Sequence, residues 1–132
     1  MNKFRHIAGP AYLANRYYSK GKINKNYKIV ILVDNDSASA SEVTTSALKE
    51  QYDAIIVGEK TYGKGTVQEL QTLPSGQQYK LTTKIWLTSK GKAIDGKGIK
   101  PDVEIKLDDK YLKEPTIDND NQLQKAIDLL TE

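Results

Sequence analysis

Two short apolar runs on either side of one helical segment limit what this chain can fold into. Lys28-Ile-Val-Ile-Leu-Val-Asp34 is a continuous β-branched run, the pattern of a strand buried on both faces of a parallel sheet. Residues 35–51, NDSASASEVTTSALKEQ, place Ala40, Val43, Ala47 and Leu48 on one face of a helix. Ala54-Ile-Ile-Val-Gly58 is a second buried strand. Together they predict a β-α-β unit with parallel strands and a right-handed crossover.

The flanking segments are read by the same rules. Pro10 near a first helical position, Tyr12, Leu13 and Tyr17 on one face and Gly21 as a stop predict a helix upstream. Residues 66–73 and 77–88 alternate in polarity around Pro74-Ser75-Gly76, which predicts two antiparallel strands joined by a turn. Residues 88–102, TSKGKAIDGKGIKPD, form a Gly- and Lys-rich loop, and 102–107 a short strand. Leu123, Ile127 and Leu130 recur at helical spacing and predict a closing amphipathic helix. The expected architecture is a single α/β domain over residues 1–132, without internal repeats.

Composition removes several chemistries. With no cysteine, thiolate catalysis, disulfides and Cys-ligated zinc are excluded. The lone histidine, His6, cannot build a multi-histidine metal site and is expected on the surface. A net charge of +3 with lysines spread along the chain makes little case for nucleic acid. No apolar run reaches the length of a membrane span, and no signal peptide is visible. No cofactor is expected.

Three motifs could carry chemistry. Gly58-Glu-Lys-Thr-Tyr-Gly-Lys-Gly65 follows a Walker A pattern until Gly65, where a Ser or Thr should hold magnesium. A Walker A lysine opens a helix, whereas residues 66–73 read as a strand, so a nucleotide loop is disfavoured. Ser46-Ala-Leu-Lys49 matches S-x-x-K without its companion motifs and is expected on a solvated helix face.

The third combines Ser39 with Lys64. Ser39-x-x-Glu42 is a capping box, with Ser37 a further candidate cap, and a serine run before a helix needs no catalysis to explain it. Yet Ser39 follows the carboxyl end of one parallel strand and Lys64 that of the other, so both loops open on the sheet edge where α/β proteins place their sites. A serine with no usable histidine needs a lysine base. Such a lysine must be neutral, which burial favours. Gly63 and Gly65 are expected to let Lys64 turn inward, and Gln68 could hydrogen-bond the neutral amine. Glu59 or Glu69 facing Lys64 would oppose this.

Asn35-Asp-Ser-Ala-Ser-Ala-Ser-Glu-Val43, Val57-Gly-Glu-Lys-Thr-Tyr-Gly-Lys-Gly-Thr-Val-Gln68, Tyr79-Lys-Leu-Thr-Thr-Lys84 and Gly96-Lys-Gly-Ile-Lys-Pro-Asp-Val-Glu104 occur in that order, with Lys64 25 residues after Ser39. Over roughly residues 28–105 the chain resembles the C-terminal processing peptidases, or tail-specific proteases. The closing helix resembles theirs too. The resemblance implies a ClpP/crotonase-like core and a serine endopeptidase acting near protein C-terminal tails. It implies Ser39 as nucleophile, Lys64 as general base, Gln68 as the residue orienting the lysine, and the Ala40 N–H as one oxyanion donor. The loop at 96–102 would belong to the core behind the site. Family members also carry a PDZ domain and a Gly-rich loop supplying the second oxyanion donor, neither of which is found here. The chain is therefore expected to be the C-terminal portion of a catalytic domain, weakly active or inactive alone, with 7–21 as the helix after the missing loop. Its parent is expected outside the bacterial cytoplasm, acting on protein or peptide tails. The alternative is a non-catalytic interaction domain derived from such a protease.

Overall fold

The computed structural model describes residues 3–8, 14–18 and 27–132. The expected β-α-β unit is present. Strand β3 (Val30–Val33) runs into helix α1 (Ala40–Tyr52) and returns as β4 (Ile55–Gly58), parallel to β3 with Ile31 opposite Ile56 and Val33 opposite Gly58. A short strand β7 (Val103–Glu104) adds in parallel on the other side of β4. Ile56 and Val57, on the central strand, are fully buried. Among the described residues β3 lies at one edge of this sheet, and its run is not covered on both faces as expected: Val33 is buried, but Leu32 remains 41% exposed.

A second, antiparallel sheet has the order β2 (Ala14–Tyr18), β1 (Lys3–Ala8), β6 (Gln78–Leu87), β5 (Thr66–Thr72). Strands β5 (Thr66–Thr72) and β6 (Gln78–Leu87) form the expected hairpin. Its turn is closed by Leu73 N–H to the Gln77 carbonyl and Gly76 N–H to the Leu73 carbonyl, each 2.8 Å. An extra residue on β6 makes a bulge, since Val67 pairs with Lys84 but Gln68 pairs with Thr82.

Over residues 14–18 the expected upstream helix is not formed. Ala14–Tyr18 is strand β2, paired antiparallel with β1 (Lys3–Ala8), which in turn pairs with β6. Sheet pairing supplies this segment's backbone partners, and that outweighs a helical spacing of three side chains. Pro10, Tyr12, Leu13 and Gly21 lie outside the described residues. His6 sits in β1 opposite Leu87.

Beyond β7 come a short helix α2 (Asp109–Lys113), a 3-10 turn (Ile117–Asn119) and the closing helix α3 (Asn121–Thr131). The Asp120 side chain caps α3 by accepting the Leu123 N–H at 2.9 Å. The helix packs on β3 and β4. Its inward face differs from the expected one: Gln122 and Ala126 are buried, while Ile127 and Leu130 are exposed. The Gln122 amide donates to the Ile105 carbonyl at 2.8 Å, so a polar anchor sets the helix rotation.

Candidate active site

Ser39 is the N-cap of α1, with backbone angles φ 56° and ψ −113°. Among the described residues one other non-glycine has positive φ, Asp53, which adopts the ordinary left-handed form at the end of α1. Ser39 lies outside that form, in a conformation that costs on the order of 1–3 kcal/mol for a residue with a Cβ. Comparable strain occurs at the strand-to-helix turns that present the serine nucleophile of α/β-hydrolases. The turn before it is tight. Asp34 Oδ1 accepts the Ser37 hydroxyl at 2.7 Å, the Ser37 N–H at 2.8 Å and the Asp36 N–H at 3.2 Å. The Ser37 hydrogen bond, aided by these N–H groups, holds the Asp34 carboxyl below its usual range despite slight burial. Ser37 therefore belongs to the Asp34 turn and does not cap α1.

Glu42 holds this turn to the lysine loop. Its side chain is fully buried, yet its carboxylate accepts four hydrogen bonds. Oε2 takes the N–H of Ser39 at 2.9 Å and of Lys64 at 2.8 Å. Oε1 takes the Thr61 hydroxyl at 2.5 Å and the Gly63 N–H at 2.7 Å. A carboxylate removed from water is tolerated when its lone pairs are satisfied in this way. The Tyr62 N–H adds a further tie, to the Ser37 carbonyl at 3.0 Å. The capping-box pattern located the Glu42–Ser39 contact. The three partners 19–22 residues downstream gave no local sequence signal.

Behind the lysine loop lies the Gly- and Lys-rich segment. Thr61 Oγ1 accepts the Ile99 N–H at 2.7 Å, and the Gly63 carbonyl accepts the Gly96 N–H at 2.9 Å. Gly63 and Gly65 serve this contact rather than an inward turn of Lys64. A Cβ on Gly63, where φ is +92°, would lie 2.8 Å from the Gly98 nitrogen, and one on Gly65 would lie 2.4 Å from the Asp95 nitrogen. Both glycines are buried, and Lys64 between them is exposed. The described residues do not supply the enclosure expected around its amine.

Gln68, four residues further along the extended chain, is also exposed. Glu69 is held by Lys84, whose hydrogen bond and charge keep its carboxyl below the usual range, so it is engaged away from Lys64. Ala40 opens α1, and its N–H has no acceptor among the described residues, as expected of a first helical position.

The other two motifs resolve differently. Lys64 leads into strand β5, not a helix, which removes the Walker A reading. Ser46 is buried and its hydroxyl donates to the Val43 carbonyl at 2.9 Å, so it does not share a solvated face with Lys49. Lys49 pairs with Asp102 Oδ1 at 2.6 Å, while Asp102 Oδ2 accepts the Ile56 N–H at 3.0 Å. Partial burial pushes the Asp102 carboxyl up, but these two hydrogen bonds and the Lys49 charge bring it below its usual value.

The family model described as Peptidase family S41 matches residues 5–105. The chain belongs to peptidase family S41. It is 39% identical over 122 residues to the carboxy-terminal processing protease CtpB of Bacillus subtilis, a match covering 87% of this chain and 25% of that protein. It is 49% identical over 81 residues to a probable CtpA-like serine protease of Staphylococcus epidermidis, covering 61% of this chain and 16% of the relative. Among solved structures, a photosystem II D1 C-terminal processing protease matches with a TM-score of 0.74 and 33% identity, covering 80% of this chain and 28% of that one. The chain thus spans a quarter or less of these two curated relatives. The mixed α/β architecture of parallel and antiparallel sheets with a closing helix is that of the S41 protease fold.

Proposed function

We propose that the chain carries the Ser39–Lys64 dyad of a serine endopeptidase that cleaves proteins near their C-terminal tails. In this reading the Ser39 hydroxyl adds to a peptide carbonyl as its proton passes to Lys64. Lys64 then protonates the departing amine, and water hydrolyses the resulting ester. The Ala40 N–H donates to the oxyanion, and Gln68 orients the lysine. The observation that carries the reading is the strained backbone of Ser39 at the start of α1, tied through the buried Glu42 to the loop bearing Lys64. S41 membership supports it.

The chain is proposed to be the C-terminal portion of a catalytic domain, with the enclosure of Lys64 and a second oxyanion donor supplied by the rest of the protein. One missing oxyanion donor typically costs about 10²–10³ in rate, so the chain alone is expected to be weakly active or inactive. By the same family reading, the whole protein works outside the cytoplasm of a bacterium. The exposure of Lys64 favours one alternative, a non-catalytic interaction domain built on the protease fold. Labelling of the full-length protein by a fluorophosphonate decides between them. Labelling that is lost in Ser39→Ala supports the peptidase. A parent that cleaves a tagged substrate equally well with Lys64→Ala rules out the dyad.

A further inference from the structure

The Gly- and Lys-rich segment has a second face. Residues 88–100 and the carboxyl-terminal half of α1 border an open cavity of about 720 Å³. Lys90, Lys92, Lys97 and Lys100 line it, all four are exposed, and none forms an ion pair among the described residues. The two other charged side chains on this wall are already engaged. Lys49 pairs with Asp102, and Glu50 accepts the Ser89 hydroxyl and, at 2.9 Å, the Lys90 N–H. Leu87 and Ile99, both half-buried, add apolar surface, and Ile94 is buried behind them. Four unpaired ammonium groups outnumber the one unpaired carboxylate on this wall, Glu50, and the net positive charge around the hollow raises the local concentration of anions.

The details narrow the ligand class. Backbone N–H groups along the segment turn inward: Lys97 and Gly98 donate to the Ile94 carbonyl at 3.0 and 2.9 Å, and Lys92 donates to the Thr88 hydroxyl at 3.2 Å. They do not form the ring of amides that cradles a phosphate. No arginine and no aromatic side chain lines the cavity, so neither the bidentate fork nor the stacking platform of nucleic-acid sites is present. Flexible lysines over an apolar floor suit spaced carboxylates interrupted by an aliphatic side chain. We propose that this cavity docks an acidic peptide segment bearing an aliphatic residue. It lies beside α1 about 15 Å along the helix from Ser39, by a rise of about 1.5 Å per residue, and its binding does not require the dyad.

The test is fluorescence anisotropy of the full chain with a fluorescein-labelled peptide of glutamates interrupted by two leucines. Saturable binding is expected at low salt, weakening about tenfold or more as ionic strength rises to physiological levels. Lys90→Glu/Lys97→Glu and the milder Lys90→Gln/Lys97→Gln are expected to weaken it about tenfold or more. Lys125→Glu on α3 and Ser39→Ala are expected to leave it unchanged. Thermal melts check that each variant is folded. The proposal is overturned if the peptide does not bind, if Lys125→Glu weakens binding as much as the cavity variants, or if serines replace the leucines without loss. Inorganic polyphosphate binding as tightly as the peptide would also overturn it, by showing mere attraction of anions.

Discussion

The Glu42 carboxylate accepts the Thr61 hydroxyl at 2.5 Å where both side chains are buried, joining α1 to the loop that follows β4. Removing either partner strands the other's hydrogen-bonding groups away from water. Glu42→Ala leaves four donors unanswered and is expected to destabilise the chain by about 3–5 kcal/mol. Glu42→Gln turns an NH2 group toward two donors and is expected to cost about 2–3 kcal/mol. Thr61→Val is expected to cost about 1–3 kcal/mol. Urea unfolding of the two single variants and of Glu42→Gln/Thr61→Val should give a coupling energy of at least about 0.5 kcal/mol. Strict additivity would contradict the geometry.

On the proposed reading, Ser39 sets stability against chemistry. Ser39→Gly is expected to relieve the strained backbone and raise stability by up to about 1 kcal/mol, the gain reduced by glycine's greater freedom in the unfolded chain. Ser39→Ala keeps the strain and is expected to leave the melting temperature nearly unchanged. Both variants are expected to lose fluorophosphonate labelling in the full-length protein. A glycine variant that melts clearly earlier would mean the conformation is not strained.

Gly65→Ala drives a Cβ to 2.4 Å from the Asp95 nitrogen, and Gly63→Ala drives one to 2.8 Å from the Gly98 nitrogen. Backbone cannot yield as a flexible side chain does. Each substitution is expected to destabilise by about 1–3 kcal/mol, read as a lower denaturation midpoint. Gly76→Ala, with open space around it, shares only the positive φ of Gly63 and is the clash control for that position; Gly65 has no positive φ, so its cost is clash alone.

Acid should weaken the fold through Asp34 and Asp102. Both carboxyls sit below the ordinary 3.8 in the folded chain. The unfolded chain therefore binds the proton more readily. Their contribution is complete above the unfolded value and is lost as pH falls through the folded values, in the range below about 4. Denaturant midpoints measured from pH 6 downward should fall in that range, and the Asp34→Asn/Asp102→Asn variant should flatten the fall. Both groups are largely solvated, so the effect is modest.

The β-α-β unit was legible because strand pairing and helix burial follow directly from the runs at 30–33 and 55–58 and the spacing of Val43 and Ala47. The strand at Ala14–Tyr18 was not, because what decides it is a partner strand rather than its own side-chain spacing. The rotation of α3 escaped for a similar reason: a buried glutamine bonded to Ile105 outranked the apolar spacing. The placement of Ser39 and Lys64 beyond the carboxyl ends of two adjacent parallel strands could be read from order and spacing. The enclosure around Lys64 could not, since exposure depends on everything that surrounds a residue.

The four bonds converging on Glu42 also bear on how this region opens. The amides of Ser39, Gly63 and Lys64 all end on one carboxylate, so freeing any one of them disturbs the partner of the others. In native-state hydrogen exchange the three amides are expected to open as one unit with a common free energy. The serine turn and the lysine loop would then be held in place, or released, together.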